Sequence, residues 1–221
     1  MNGQPINRAS ASNHSECRPV IEVMGGGVVQ AIPDRAVIIL GAVTEGPVLQ
    51  TIQAENANVV NNIIHSLLTL NIPRQKIQTQ DYRIEIQYDY QEGKQIFRGY
   101  NVTHLLEIIT EKVGQTGEIV DTAVAHGANR VTGIRFTMAH PEVYQQRALS
   151  LAIRNARNKA ITIANALGMS LTAIPCKVQE LSRPAEPVLY QASVLAASTV
   201  TPVQPGELSI SAAVRVWYVF S

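Results

Sequence analysis

Charge is scarce in this chain. Asp, Glu, Lys and Arg make up 16% of its 221 residues, and 18 basic against 17 acidic side chains leave a formal net charge of +1. Soluble domains usually carry about 25% charged residues, so much of the polar surface here comes from Asn, Gln, Ser and Thr. Without a basic excess there is no concentrated patch for nucleic-acid phosphates or an anionic membrane. Aromatics amount to 5%, few for the stacking that single-stranded RNA requires. Two cysteines, Cys17 and Cys176, make neither a disulfide scaffold nor a zinc site and read as free thiols. No stretch approaches the ~18 uninterrupted apolar residues of a membrane span, so membrane insertion is not expected. The polar opening MNGQPINRASASNHSEC lacks the apolar run of about 7–15 residues in a secretory leader. A cytoplasmic location is therefore expected from the chain as it stands, with the cell envelope the alternative if a leader has been removed. Near-neutral surfaces associate readily, which makes a homo-oligomer the expected state.

Catalytic constellations are missing as well. His14, His65, His104, His126 and His140 share no ligand spacing, and there is no His-Glu-x-x-His helix or Gly-x-Ser-x-Gly elbow. Gly25-Gly26-Gly27 runs into Val28-Val29-Gln30-Ala31, which reads as strand, whereas a phosphate loop must open onto a helix N-terminus. A bulge or a close backbone contact is the better account of these glycines. Arg98-Gly99-Tyr100 starts like an RNA-recognition strand, but Asn101, Val102 and His104 break the pattern. Glu85 and Asp89 share a strand face with Arg83; a catalytic acid needs a pocket that shifts its pKa, and a solvated face supplies none. Neither an enzyme, a metal nor a cofactor is expected.

Hydrophobic residues reach 46%, ample for a core. Residues 1–18 offer little to bury and read as a disordered tail. Residues 20–31 form a glycine-interrupted strand, and 35–44 a strand apolar on both faces, hence interior. Ile52, Val59, Ile63, Leu67 and Leu70 place a helix over 48–70, which Asn71-Ile72-Pro73 stops. Tyr82, Ile84, Ile86, Tyr88 and Tyr90 alternate with polar residues in a strand over 77–90; such a stripe is expected to pack under a helix. Gln91-Glu92-Gly93-Lys94 turns the chain back into 95–110. A helix over 115–126 with Thr116 as N-cap, a strand over 130–138 and a helix over 141–167 follow. In that last helix Ala148, Ala152, Ala156, Ala160 and Ala164 recur every fourth residue, a row that permits close approach to a sheet or another helix. Strands over 173–181 and 207–220 close the chain. Hairpins interspersed with helices give an α+β fold, expected as two small sub-domains with mixed or antiparallel sheets. These are 20–112 with the C-terminal strand, and 113–206.

The order of several short motifs resembles the SIMPL-domain family. They are the Gly-rich strand with Pro33-Asp34, Ile77-Gln78-Thr79 before the Tyr-rich strand, and Gly99-Tyr100. Gly127-Ala128-Asn129 with Gly133-Ile134-Arg135-Phe136, then Ala164-Asn165-Ala166-Leu167-Gly168 and Pro205-Gly206-Glu207, complete the set. The resemblance covers about residues 20–220. It implies an α+β fold, no established catalytic residues, no cofactor, frequent export to the envelope and loose links to stress tolerance.

Two functions fit. The first is a non-enzymatic homo-oligomeric assembly or interaction protein. The alternative is a small-ligand or peptide-binding module using the Tyr-rich strand face. Residues 182–206 exceed the usual loop length, and Val188, Leu189, Tyr190, Val194 and Leu195 are too apolar for a solvated linker. They are the expected subunit contact. Deleting 186–203 should lower the oligomer mass measured by light scattering; an unchanged mass would remove this contact from consideration.

Overall fold

The computed structural model describes residues 20–181, 188–190 and 201–220, with the backbone alone described for 188–190. The expected tail with Cys17 lies outside these residues, as do Val194 and Leu195. The elements are β1 (Val20–Ala31), β2 (Arg35–Gly46), α1 (Leu49–Thr69), β3 (Ile77–Gln91), β4 (Lys94–Thr110), α2 (Thr116–Ala125), β5 (Arg130–Thr137), α3 (Pro141–Ala166), β6 (Lys177–Glu180), β7 (Val188–Tyr190) and β8 (Glu207–Val219). They form two sheets, ordered β1-β8-β6 with β7 also paired to β8, and β3-β4-β2-β5. The fold is α+β. Two compact units divide the chain, one taking Met1–Gly27, Ala148–Arg183 and Ser211–Ser221, the other Val28–Arg147 and Pro184–Ile210. No boundary falls near residue 112, because α2 beyond that point packs against α1 and β2 before it.

In the first unit, glycine and alanine meet. β1 runs unbroken through Gly25, Gly26 and Gly27, so the triplet is neither a bulge nor a break. Ala148, Ala152, Ala156, Ala160 and Ala164 are all buried along α3. A Cβ added at Gly25 would strike the Ala152 carbonyl oxygen and lie 2.7 Å from Ala156 Cβ. One at Gly27 would strike the Ala148 oxygen and lie 2.6 Å from Ala152 N. Gly26, on the opposite face of the pleat, has nothing within 4 Å. Strand period and helix turn thus coincide: the two glycines that share a face of β1 meet the alanine ridge of α3, with Leu151 Cβ at its margin beside Gly27. β8 contributes Val214, Val216 and Tyr218 to the buried face. On the other side, Glu22 takes Trp217 Nε1–H at 3.1 Å and stands 3.2 Å from Arg215.

The edge of β1 is closed by α3 itself. Gly26 N–H donates to Asn155 Oδ1 at 3.2 Å, and Lys159 Nζ donates to the Met24 carbonyl at 2.8 Å. Gly168, with φ +67°, follows α3 in the left-handed conformation that suits a helix stop. The strand expected over 173–181 is confined to 177–180, with an isolated bridge from Leu171 to Phe220.

The second unit is built on β2, which pairs antiparallel with β4 on one side and β5 on the other. Ile38, Leu40 and Ala42 of β2 join Leu106 and Ile108 of β4, Val60, Ile63 and Leu67 of α1, and Ile119 and Ala123 of α2 in one core. α1 ends where Asn71 takes φ +59° and Ile72 N–H reaches back to the Leu67 carbonyl. Thr116 is not an N-cap. Gln115 precedes α2, and Thr116 is its first helical residue, donating its hydroxyl to the Val113 carbonyl. The β2–β5 ladder slips at Ile39/Leu40, and Asn129 continues it with a side chain. Its Oδ1 accepts Val43 N–H and its Nδ2 donates to the Val43 carbonyl, each at 2.8 Å, as a neighbouring peptide would. Asp121 of α2 holds Thr201 through both hydroxyl and backbone N–H; those bonds keep its carboxyl below the usual range.

Gly25→Ala and Gly27→Ala should each lower unfolding stability by about 2 kcal/mol or more, because α3 must move to admit the methyl group. Gly26→Ala should change it by no more than about 0.5 kcal/mol, as for other unconstrained surface positions. Urea unfolding of the three variants separates a packing constraint from a general intolerance of side chains in β1.

Candidate functional site

The β3–β4 hairpin is the most unusual feature of the second unit. Its arms span 15 and 17 residues, far beyond the usual 5–6 for a strand. Glu92 and Gly93 have φ of +49° and +78°, the pair of left-handed residues that a tight two-residue hairpin turn needs. β2 accompanies β4 only as far as Gly46 opposite Tyr100, so the distal arms pair with each other alone. Between register shifts at Thr79/Asp81 and Gln87/Tyr88, residues 81–87 form a regular stretch.

A polar network fixes this stretch on one face. Glu45 Oε1 accepts Asn101 Nδ2 at 2.9 Å and Gln87 Nε2 at 3.1 Å. These bonds, Gln87 first, hold the Glu45 carboxyl below the usual carboxylate range. Arg98 lies 3.9 Å from Glu45 and 4.0 Å from Asp89, and Arg83 lies 2.8 Å from Asp81. The guanidinium of the Arg98-Gly99-Tyr100 segment therefore faces carboxylates. Glu85 and Asp89 are solvated, and Asp89 is turned to Arg98.

The other face overturns an expectation. Tyr82, Tyr88 and Tyr90 are not packed under a helix: they are 45%, 46% and 71% exposed, and Ile84, Ile86 and Phe97 are exposed with them. α1 contacts β2 and β4, and the stripe on β3 lies at the margin of what it covers. Phe97 meets Tyr100 edge-on with ring centres 5.2 Å apart. Ordinary burial trends fail here because β3 is an outermost strand of its sheet.

Where α1 meets β3 and β4, a cleft of about 250 Å³ opens, lined by Gln53, Asn56, Ala57, Val60, Asn61, Ile64, Thr79, Tyr82 and His104. Gln53 Nε2 donates to Tyr82 Oη at 3.0 Å, joining helix to strand. His104 meets Tyr82 edge-on at 5.2 Å and Thr79 Oγ1 at 3.1 Å. Burial pushes the His104 pKa down from 6.5, which favours the neutral ring. Asn56, 1% exposed, donates Nδ2 to the Ala42 and Val102 carbonyls at 3.2 and 3.1 Å. Its Oδ1 is buried with no partner.

The remaining candidates fall elsewhere. Val188, Leu189 and Tyr190 form β7, opposite Ser209, Leu208 and Glu207 of β8. His65 and His126 line a different hollow of about 510 Å³, a convergence invisible in their spacing. His140 is paired with Glu142 at 3.0 Å. Cys176 is a free, exposed thiol donating to the Trp217 carbonyl. Among the described residues no three His, Cys, Asp or Glu side chains converge on a metal position, and no helix is long and apolar enough to cross a membrane.

Comparison with known proteins brings a family and several relatives. The model of SIMPL, "Protein of unknown function (DUF541)", matches residues 21–218. The chain is 27% identical over 157 residues to "Uncharacterized protein YggE" of Escherichia coli strain K12, a match covering 71% of this chain and 64% of that protein. The chain thus spans less than two thirds of that relative's length. It is 26% identical over 207 residues to the "26 kDa periplasmic immunogenic protein" of Brucella melitensis, covering 89% of this chain and 82% of the relative.

The depressed His104 pKa carries a pH dependence. Between the lowered folded value and the ordinary 6.5, the unfolded chain binds more protons at this ring than the folded one, so stability rises with pH. It is lost as pH falls below about 6.5 and levels off once the folded ring protonates. Urea unfolding at pH 7.5 and 5.5 should show a smaller difference for His104→Gln than for the parent. Equal differences would dismiss the burial account.

Proposed function

The chain belongs to the SIMPL family, and we propose that it is a non-enzymatic assembly protein of the cell envelope whose copies join along the open edge of β3. The observation that carries this reading is the contrast between two sheet edges. β1 has its outer backbone bonded by Asn155 and Lys159. β3 is an outermost strand of its sheet, and large apolar side chains stand along it in the open. Long exposed edges of this kind template pairing with another chain.

A second copy of this chain is the occupant that fits. The regular stretch 81–87 is centred on Ile84. Antiparallel pairing about that centre sets Arg83 against Glu85 of the second copy, Tyr82 against Ile86, and Ile84 against itself. Charges then oppose with the right sign on one face, and apolar side chains meet on the other, as stabilising cross-strand pairs do. The net charge of +1 puts little long-range repulsion in the way. Val188, Leu189, Tyr190, Val194 and Leu195 remain the proposed second contact, which any assembly larger than a dimer needs. The envelope assignment takes its support from the Brucella relative, which is named periplasmic.

Charge exchange tests the register. Arg83→Glu and Glu85→Arg should each weaken association about tenfold, since each sets two like-charge pairs across the two-fold axis. The double exchange should restore it to within about twofold of the parent by the same pairing rule. Sedimentation equilibrium reads all four proteins. A parent chain that stays monomeric at high concentration ends the proposal.

A further inference from the structure

We propose that the cleft between α1 and the β3–β4 hairpin is a binding site for a neutral, hydroxyl-rich small molecule of monosaccharide size. The inference does not rest on assembly along β3, although Tyr82 borders both surfaces.

Four observations converge on it. Asn56 lines the cleft, is 1% exposed, and has a buried Oδ1 without a partner. Because its Nδ2 is committed to the carbonyls of Ala42 and Val102, the amide cannot be turned over to satisfy that oxygen. A buried acceptor left alone is costly; a ligand hydroxyl is the kind of donor it lacks, and reaches it once a neighbouring side chain of the lining gives way, since Oδ1 itself has no open surface. Next, the lining holds no carboxylate, lysine or arginine, and burial favours the neutral form of His104. A charged ligand would lose its hydration there and meet no counter-charge. Third, the polar groups alternate in kind: amides of Gln53 and Asn61, hydroxyls of Thr79 and Tyr82, and an imidazole. Together they can donate and accept around a ring of hydroxyls, while Ala57, Val60 and Ile64 supply the apolar wall that a sugar's C–H face requires. Finally, about 250 Å³ lies below the roughly 300–1,000 Å³ of drug-sized pockets, which limits the occupant to a small molecule.

The Gln53–Tyr82 bond is the part of the cleft that yields. It is exposed and joins two side chains only, so exchange for ligand hydroxyls leaves the backbone of α1 and β3 in place. Two larger hollows are less specific. The one of about 510 Å³ at His65 and His126, and another of about 470 Å³ at Met24 and Ile163, include no side chain with a buried unpartnered polar atom among the described residues.

Titration of the full-length ¹⁵N-labelled chain with glucose, N-acetylglucosamine and glucose 6-phosphate tests the proposal. At least one of the two neutral sugars should give saturable shifts at Gln53, Asn61, Tyr82 and His104, with a Kd of about 1 mM. Gln53→Ala and Thr79→Val should each weaken that binding by about fivefold, in line with the loss of one neutral hydrogen bond. Asn56→Leu should abolish it, and the first two variants keep the test decisive if Asn56→Leu does not fold. Absence of saturable shifts with both neutral sugars up to about 50 mM, well above the Kd expected for so few contacts, overturns the inference. Binding of glucose 6-phosphate as tight as that of glucose overturns it equally.

Discussion

A β-sheet leaves the backbone N–H and C=O groups of its outermost strands without partners, and this chain answers that constraint differently at different edges. β1 is bonded by side chains from α3. Just before the first residue of β5, the Asn129 amide takes the place of a peptide beside Val43. In both places a polar uncharged side chain, or one lysine, stands in for a missing strand.

The closure of β1 depends on how near α3 comes to it. Asn155 and Lys159 reach the β1 backbone because Gly25 and Gly27 let the alanine ridge of the helix settle against the strand. Larger residues at either surface would hold α3 away and lengthen both hydrogen bonds. The alanine ridge and the capped edge are therefore one device. The ridge was legible in the sequence from its four-residue spacing. Its partner was hidden in a glycine triplet whose members do different jobs: two receive the helix, and the third presents its N–H to Asn155.

Elements were legible where local chemistry fixes them. The hairpin turn at Glu92-Gly93, the α1 stop at Asn71-Ile72-Pro73 and the last strand's buried face, Leu208 through Tyr218, all follow from spacing and turn residues. Exposure was not legible. Tyr82, Ile84, Ile86, Tyr88 and Tyr90 would alternate in the same way under a helix or in the open, since the pleat fixes which side they share and nothing about what covers it. Only the strand order, with β3 outermost, decides it. The cleft was hidden for a related reason: Thr79, Tyr82 and His104 come from two strands and Gln53, Asn56 and Asn61 from a helix, brought together by long-range pairing. One signal did exist. Asn56 sits four residues after Ile52 and four before Val60 in the buried stripe of α1, and a polar residue in such a stripe asks for partners.

The proposed assembly and the proposed ligand binding would make different use of polar groups. Arg83, Arg98, Asp81 and Asp89 are engaged with one another in exposed pairs, which are individually weak and easily exchanged. Exchange with a second strand therefore costs little, and the gain comes from pairing a backbone edge and covering tyrosine and isoleucine side chains. The cleft works the other way. Its amides and hydroxyls bear no charge to exchange, and its one buried acceptor has no partner to lose. Association along β3, as proposed, would respond to salt and charge, whereas the cleft would respond to shape and hydrogen-bond count, with Tyr82 the residue common to both.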